Sequence, residues 1–407
     1  MVQGNATLVL DLGNSETRGI VLFGKDSNGK FKRKKFTLSN RFAPVAETYL
    51  PPADYDEASS TIFALNAVVD GEQVSGVFAN GEVQAREFSV APIRPFASEK
   101  KYKSLTSALS YEMACLAATK AIMMMTRTSD IKQVDVNWNV FVLLPPGDME
   151  HGKTEMSEML SSVKRVECAF PDVDFDIKVN SIVVLPEGYC AFMGVLFEEG
   201  NILRSDYKFL TSDITLVCDI GAGTTDVMVM QDGRIIQTTM ATFERGGNNV
   251  TQFVKKTLRN TYGLKLTEVD IINGIVNGFV KDGAKHLDIT QIVNDAKDAV
   301  ARGLVLDIQN FFEETEYPIR SIAKLFVCGG GSMTSEGESP NSKIKALSEA
   351  VVEHLKKGTP NVELVQLPKT VTNVVLDDGT SSKVERELNP RMLNIIGASI
   401  LAEGMSK

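Results

Sequence analysis

Short apolar runs alternate with longer amphipathic segments along this chain. Apolar runs bounded by turn residues are typical of strands buried on both faces, and apolar residues at every third or fourth position indicate one face of a helix. Strands that alternate with helices predict an α/β sheet. The predicted strands cover residues 136–144, 182–185 and 324–327, and the predicted helices cover residues 104–127, 251–262, 289–312 and 342–357.

One segment of the chain occurs twice. Residues 7–21 read TLVLDLGNSETRGIV and residues 215–229 read TLVCDIGAGTTDVMV, with identities at Thr, Leu, Val, Asp, Gly, Thr and Val. Each copy is an apolar strand that ends in an acid, followed by a turn of Gly and small polar residues and by a second strand. The repeat therefore predicts two β-hairpins with matching tips in two related lobes.

The stretch from residue 36 to residue 96 has a different character. It is rich in turn residues, and its dipeptides Asp70-Gly71 and Asn80-Gly81 are typical of hairpin turns. We therefore predict a subdomain inserted into the first lobe. The predicted lobes are residues 1–208, with an insertion at 36–100 and a completing C-terminal helix at 391–407, and residues 209–390, with an insertion at 248–320.

The composition supports large cores and argues against several classes of partner. Of 407 residues, 43% are hydrophobic and 23% are charged, and the net charge is −9. Because Lys and Arg are scattered, we expect no direct contact with nucleic acid. The most apolar helical stretch, residues 113–125, is interrupted by Lys120 and is too short to span a bilayer. The first seven residues do not have the pattern of a secretory signal, so we expect a cytoplasmic protein without a membrane partner.

The cysteines lie far apart in apolar surroundings, and no two of them have Cys-x-x-Cys spacing. This favours reduced thiols in the core over a disulfide framework or a zinc site, and it fits a reducing compartment. The cysteines are Cys115, Cys168, Cys190, Cys218 and Cys328.

The two predicted hairpin tips carry the residue types that a phosphate–Mg²⁺ site needs. A carboxylate at a strand end can hold the waters of the metal, and small residues let backbone N–H groups approach phosphate oxygens. An ordinary hairpin with glycines at positive φ explains either tip alone, but the repetition favours a phosphate site. The first tip has Asp11, Gly13, Asn14 and Ser15, and the second has Asp219, Gly221, Ala222, Gly223, Thr224 and Thr225.

A third Gly-rich turn follows the strand predicted at residues 324–327. Gly329, Gly330 and Gly331 give a flat backbone surface for a purine and a ribose, whereas a flexible loop before a helix is the alternative. The sequence contains neither a Walker A loop nor a dinucleotide-binding fingerprint.

The order of these motifs resembles that of the actin, sugar-kinase and large heat-shock chaperone superfamily. The segments that carry the resemblance are DLGNSET and DIGAGTTD as phosphate motifs, LPEG and NIIGASILAEG as connecting segments, and VCGGGSM as the adenosine motif. DIGAGTTDVMV followed by RGG at residues 245–247 is most similar to the bacterial and archaeal actin-like proteins, including the plasmid-segregating ParM group. The resemblance implies two duplicated RNase H-like lobes of an actin-like ATPase fold, with inserted subdomains and a nucleotide cleft between the lobes.

The resemblance also implies roles for individual residues. Asp11 and Asp219 would hold Mg²⁺ through water, and Arg18 would replace a phosphate-facing Lys. Glu187 would orient the attacking water, whereas an exposed acid in the first turn of a helix is the alternative. The implied nucleotide contacts are Gly13, Asn14, Ser15, Arg18, Gly221, Ala222, Gly223, Thr224 and Thr225 for the phosphates, and Gly246, Gly247, Asn248, Gly329, Gly330, Gly331, Ser332 and Met333 for the nucleoside.

Three functions compete within this superfamily. The first is an ATPase that forms cytoplasmic filaments with Mg-ATP, or with GTP as the alternative nucleotide, and disassembles after hydrolysis. Its expected partners are further copies of itself and a DNA-binding adaptor protein that links the filament to a plasmid. The second, a heat-shock type chaperone, would need a substrate-binding domain after the second connecting segment, and we do not expect it. The third, a sugar or acetate-type kinase, would replace the water by a substrate hydroxyl and remains the alternative.

Overall fold

The computed structural model divides the chain into two compact units. Among the described residues, no helix is both long and apolar enough to cross a membrane. Unit 1 comprises Met1–Pro186, Glu199–Asn201 and Ile395–Lys407, and unit 2 comprises Glu187–Glu198 and Ile202–Asn394. The structure describes residues 1–13, 16–46, 60–81, 100–198, 201–283, 285–332, 343–375 and 381–405.

The regular elements are numbered in chain order. Up to the end of the first stretch of unit 1 they are β1 (Val2–Leu12), β2 (Glu16–Lys25), β3 (Phe31–Ser39), β4 (Phe42–Val45), β5 (Ser60–Val69), β6 (Glu72–Gly81), α1 (Leu105–Thr126), β7 (Val134–Leu144), α2 (Met149–Ser162), β8 (Arg165–Phe170), β9 (Val173–Asp176) and β10 (Lys178–Pro186). The remaining elements are α3 (Tyr189–Leu196), β11 (Phe197–Glu198), β12 (Ile202–Leu203), β13 (Thr215–Ile220), β14 (Thr225–Gln231), β15 (Arg234–Phe243), α4 (Gly247–Tyr262), α5 (Glu268–Asn277), β16 (Phe279–Asp282), β17 (Lys285–Asp288), α6 (Thr290–Glu314), β18 (Lys324–Cys328), α7 (Leu347–Leu355), β19 (Glu363–Leu364), β20 (Lys369–Val375), β21 (Ser381–Glu387) and α8 (Leu393–Met405).

The main sheets of the two units have the same strand order. It is β10-β7-β1-β2-β3 in unit 1 and β19-β18-β13-β14-β15 in unit 2. In each sheet the middle strand pairs antiparallel with the next strand of the chain and parallel with a later one. These middle strands begin the two copies of the sequence repeat. The α/β class and the two predicted hairpins are therefore confirmed.

Each sheet has its own apolar core. In unit 1, helix α1 packs against β1, β2 and β3 and is buried along most of its length. It begins where the sequence predicts, because the Ser104 hydroxyl accepts a hydrogen bond (3.2 Å) from the backbone N–H of Thr106. In unit 2, helix α6 packs against α4 and α7. All five cysteines are free and buried, as predicted.

The predicted hairpin turn at Asp70-Gly71 is present, whereas the one at Asn80-Gly81 is wrong. Asp70 and Gly71 join β5 to β6 with φ angles of 50° and 79°. Asn80 and Gly81 instead end β6, which pairs with β4 and β5. Asn80 is buried, and its amide donates a hydrogen bond to the Ser39 carbonyl oxygen (2.7 Å). A tertiary contact therefore overrides a local turn signal.

The second sheet of unit 1 extends beyond the predicted insertion. Its order is β4-β6-β5-β8-β9, so it takes two strands from residues 165–176, which the sequence left unassigned. Residues 36–39 belong to β3 in the main sheet and not to the insertion. A later hairpin thus completes the sheet that the earlier segment begins.

Two helices of unit 2 start at residues other than those predicted. Helix α4 starts at Gly247 rather than at Thr251, because the Asn249 side chain accepts a hydrogen bond (2.8 Å) from the Gly246 N–H. Helix α7 starts at Leu347, because Glu349 caps the backbone N–H of Ala346 at 3.0 Å. The predicted start of α7, residue 342, lies outside the described residues.

Candidate functional site

The tip of the β13–β14 hairpin in unit 2 carries the acid and the glycines expected there. Asp219 precedes the last residue of β13 and is 5% exposed. The turn is closed by a hydrogen bond (2.8 Å) from the Gly221 N–H to the Thr224 carbonyl oxygen. The backbone N–H groups of Ala222, Gly223 and Thr224 donate to no other described residue. Such a run of backbone donors can bind phosphate oxygens.

The tip of the β1–β2 hairpin in unit 1 repeats this turn. The Gly13 N–H donates to the Glu16 carbonyl oxygen at 3.1 Å, which is the equivalent bond in the first copy. Asn40, a residue that the sequence analysis missed, holds this turn in place. Its side chain donates to the Gly13 carbonyl and accepts hydrogen bonds from Thr17 (2.8 Å) and Ser110 (3.0 Å). A lone Asn after a strand gives no sequence signal for this role.

Arg18 binds carboxylates of its own hairpin. Its guanidinium lies 3.5 Å from the Asp11 carboxylate and forms an ion pair with Glu16. The expected phosphate-facing position of Arg18 stays a prediction, and any phosphate would compete with these two acids for the guanidinium. Asn14 and Ser15 lie outside the described residues.

The start of α4 closes on the second tip. The Gly247 N–H donates to the Gly221 carbonyl oxygen (3.0 Å), and the Asn248 N–H donates to that of Ala222 (2.7 Å). A Cβ atom at Gly246 would lie 2.7 Å from both carbonyl oxygens, a distance at which something must shift. Glycine at position 246 is therefore needed for the tip and the helix to meet.

The Gly-rich turn after β18 reaches the same tip. Gly329 has a φ of +85°, and a Cβ atom there would overlap Asp219 Oδ1. A Cβ atom at Gly331 would overlap the Gly221 carbonyl oxygen. The expected triple-glycine turn thus leaves room for a carboxylate and for a second turn. It forms a short 3-10 turn over Gly330–Ser332 rather than an irregular loop.

Met333, the last residue expected in the nucleoside contact, lies outside the described residues. Gly330 instead faces a side chain that the sequence analysis did not single out. A Cβ atom at Gly330 would lie 3.0 Å from Nε of Arg391. Arg391 lies just before α8 and is far from Gly330 in the sequence, so no local motif predicts this contact.

Two carboxylates of the unit 2 sheet and Glu187 influence the same buried thiol. Asp219 pairs in register with Asp226 on β14 and with Cys328 on β18. Burial raises the pKa of the Cys328 thiol, and the charges of Asp219, Asp226 and Glu187 raise that pKa further. All three acids therefore act electrostatically on one buried thiol.

Glu187 lies two residues before the start of α3 and is 9% exposed. The alternative explanation of Glu187 as an exposed acid is therefore wrong. Gly188, with a φ of +69°, makes the bend between Glu187 and the helix. Pro186 ends β10 and does not lie in the first turn of α3.

Asn394, in the second connecting segment, joins Asp219 to the start of α3. Its Oδ1 accepts hydrogen bonds from the backbone N–H groups of Gly188 (2.9 Å) and Ala191 (3.2 Å). Its Nδ2 donates to Asp219 Oδ2. The side chain is 7% exposed. No local sequence signal points to Asn394, because its partners are about 200 positions away in the chain.

Comparison with known proteins supports a likeness to actin homologues. Residues 217–338, which contain the second tip and the Gly-rich turn, match the family model described as archaeal actin homologue MreB-like, C-terminal. No curated protein matches the chain.

Several solved structures share the fold along nearly the whole chain. The actin-like protein Alp7A is 14% identical, with a TM-score of 0.65 over 99% of this chain and 97% of its own. A non-polymerisable mutant of pCBH ParM is 17% identical, with a TM-score of 0.60 over 99% and 100%. ParM of Bacillus thuringiensis, solved with ATP, is 16% identical, with a TM-score of 0.57 over 99% of each chain. The chain therefore has the actin-like fold over nearly its whole length.

Proposed function

We propose that this chain is an actin-like ATPase that assembles into filaments with Mg-ATP and disassembles after hydrolysis. One observation carries the proposal. The backbone N–H groups of Ala222, Gly223 and Thr224 have no partner among the described residues, and the buried Asp219 lies beside them on the same tip. Phosphate oxygens and a hydrated cation are the ligands that such donors and such an acid together would bind.

The residues present fit Mg²⁺ and a triphosphate. Mg²⁺ keeps several waters and takes one or two carboxylates together with substrate phosphates, instead of a full set of protein ligands. Asp219 supplies a carboxylate, and the described residues contain no group of three or more His, Cys, Asp or Glu that could hold the ion. When bound, Mg²⁺ would compensate the phosphate charge that develops during transfer.

The chain's own residues then supply positioning. Backbone N–H groups of the tip orient the phosphates, the backbone of the Gly-rich turn contacts the nucleoside, and Glu187 orients water. Phosphoryl transfer to water needs little more, because catalysis depends on positioning and electrostatic stabilisation. We propose the same phosphate-binding role for the first tip, with Asp11 and Gly13.

An exposed apolar surface on unit 2 supports self-association. Val269 and Ile272 lie on one side of α5 and are 63% and 46% exposed, and Phe279 on β16 is 38% exposed. Exposed apolar residues that cluster often mark protein contacts. One structure with this fold is a 15-stranded ParM filament from Clostridium botulinum.

The finer assignments are part of the same proposal. The filament would lie in the cytoplasm and segregate a plasmid through a DNA-binding adaptor protein, with ATP preferred and GTP as the alternative nucleotide.

Light scattering and phosphate release, followed by electron microscopy of the pellet, test the proposal. We expect scattering to rise with Mg-ATP, to fall as ADP accumulates and to stay low with ADP alone. A flat signal at micromolar protein, together with phosphorylation of a sugar or of acetate, would replace this proposal with the kinase alternative. Parallel runs with GTP decide the nucleotide.

A further inference from the structure

One amide connects the candidate metal-binding acid to the helix that follows Glu187. The Asn394 side chain donates to Asp219 and accepts from the N–H groups of Gly188 (2.9 Å) and Ala191 (3.2 Å). Resting on the proposed function, we propose that Asn394 is a positioning residue that sets the Asp219 carboxylate and the start of α3 together. Asn394 itself would touch neither nucleotide nor water.

The hydrogen bonds fix which way this amide points. Its oxygen faces two N–H donors, and its NH₂ group faces a carboxylate, which can only accept. The reverse orientation would oppose donors to donors and an oxygen to a carboxylate. An Asn side chain is thus suited to both sets of partners, whereas Asp would keep the oxygen side and lose the donor.

The donor side matters because Asp219 lies opposite another acid. Asp226 accepts a hydrogen bond (2.6 Å) from the Thr242 hydroxyl, so each acid of the pair has its own neutral donor. Asp219 Oδ1 lies against Gly329, where a Cβ atom would overlap it. The carboxylate is therefore confined on one oxygen by Asn394 and on the other by the Gly-rich turn.

The position of Asn394 in the chain adds a second consequence. Asn394 is the last residue of unit 2 before the chain returns to unit 1, and unit 2 begins at Glu187, next to Gly188. The chain therefore enters unit 2 next to Gly188, whose N–H the Asn394 side chain binds, and leaves unit 2 directly after Asn394 itself.

Four single substitutions and one double mutant test this role. Asn394→Leu removes both sides of the amide at similar volume, and Asn394→Asp keeps only the acceptor side. Asn294→Leu is the control, since Asn294 also bridges two backbone groups of unit 2, the Lys343 carbonyl (3.0 Å) and the Lys345 N–H (3.0 Å). Asp219→Ala, alone and combined with Asn394→Leu, completes a double-mutant cycle.

Hydrogen exchange of the nucleotide-free protein tests the bonds from Asn394 to the start of α3. We expect Asn394→Leu to speed exchange in residues 187–196 and Asn394→Asp to leave it near the parental rate. Unchanged exchange in Asn394→Leu would show that Asn394 does not hold the start of α3. This measurement needs no nucleotide, so its result stands even if the proposed ATPase fails.

Calorimetric titration with Mg-ADP and turnover of Mg-ATP test the bond from Asn394 to Asp219. We expect Asn394→Leu to weaken Mg-ADP binding by about 10-fold to 100-fold, the range for a residue that orients a metal-binding group. In the Asp219→Ala background the same substitution should add little, because its partner is gone. Asn394→Asp should lose turnover while α3 stays protected, and Asn294→Leu should leave affinity and turnover unchanged.

Additive losses in the double-mutant cycle would overturn the link to Asp219, as would parental turnover in Asn394→Asp. A loss of affinity in Asn294→Leu equal to that in Asn394→Leu would mean that the effect is general destabilisation. If the parent protein neither binds Mg-ADP nor hydrolyses ATP, the proposed function fails. The exchange measurement alone then decides whether Asn394 holds the start of α3.

Discussion

Arg18 and Asp226 hold the same position in the two copies of one hairpin, yet they carry opposite charges. Arg18 lies opposite Asp11 across β1 and β2, and Asp226 lies opposite Asp219 across β13 and β14. Asp11 is balanced by an ion pair at 3.5 Å, whereas Asp219 faces a second acid. The two tips are alike in backbone and unlike in charge, so the second tip has the greater need for a cation.

This difference predicts unequal effects of removing the two acids. We expect Asp219→Ala to weaken binding of a non-hydrolysable Mg-ATP analogue at least about tenfold, roughly 1.4 kcal/mol, and to slow turnover. Asp11→Ala should cost less affinity, because it removes one of the two acids that compete with phosphate for Arg18. Calorimetric titration of both variants with and without Mg²⁺ makes the comparison. Parental affinity and turnover in a folded Asp219→Ala protein would leave Asp219 as a turn residue only.

Glu187 should act on hydrolysis and not on binding. A group that orients water contributes mainly in the transition state. We expect Glu187→Ala to bind ATP nearly as well as the parent and to hydrolyse it about 10-fold to 1000-fold more slowly. Its filaments should outlast those of the parent, because hydrolysis shifts the subunit away from the assembled state.

Phosphate release and scattering, followed together after one addition of ATP, test this prediction. Release at the parental rate would exclude Glu187 as the water-orienting residue. Slow release with parental disassembly would show that hydrolysis does not time the filament.

Adjacent glycines at the start of α4 should respond differently to alanine. A Cβ atom at Gly246 would lie 2.7 Å from two carbonyl oxygens, whereas one at Gly247 would lie 3.4 Å from the Gly331 Cα atom. We expect Gly246→Ala to destabilise the protein by about 1–3 kcal/mol, the usual cost of overpacking, and to weaken nucleotide binding. Gly247→Ala should leave Tm nearly unchanged. Thermal unfolding without nucleotide tests the pair, and equal Tm values would contradict the packing argument.

Glu112 should make the stability of unit 1 depend on pH. It is fully buried in α1, and neither carboxylate oxygen has a hydrogen-bond partner of normal geometry among the described residues. Burial raises the pKa of Glu112 from 4.5 to about 8. The Glu167 N–H acts to lower this pKa, whereas the charge of the Glu167 carboxylate acts to raise it. Between these pH values the folded state holds a proton that the unfolded state has lost. Stability should therefore fall as pH rises through this window, by at most about 1.4 kcal/mol per pH unit.

Glu112→Gln removes the titration while keeping the shape of the side chain. We expect the variant to gain stability relative to the parent as pH rises from 6 to 8. Urea denaturation at pH 6, 7 and 8 gives the free energy of unfolding of each protein. Parallel curves for the two proteins would show that Glu112 does not titrate in this range.

The parts of the fold that the sequence predicts are those with local signals. The duplicated segment predicts both hairpins, because alternation, a strand-end acid and small turn residues all lie within 15 neighbouring positions of each copy. Asn80-Gly81 fails as a turn because Asn80 bonds to backbone groups 39 and 41 positions away. Asn394 was missed for the same physical reason, since its bond to Asp219 spans 175 positions. The roles of the site residues toward nucleotide stay predictions.

The buried thiols make this chain convenient for site-specific labelling. All five cysteines are shielded by the core, and burial raises the pKa of the thiols of Cys115, Cys168, Cys218 and Cys328. Only the thiolate attacks an alkylating reagent, so burial slows the reaction both by blocking access and by disfavouring the thiolate. A single cysteine introduced at an exposed position, such as Met124→Cys on α1, would carry a fluorophore on an otherwise silent background.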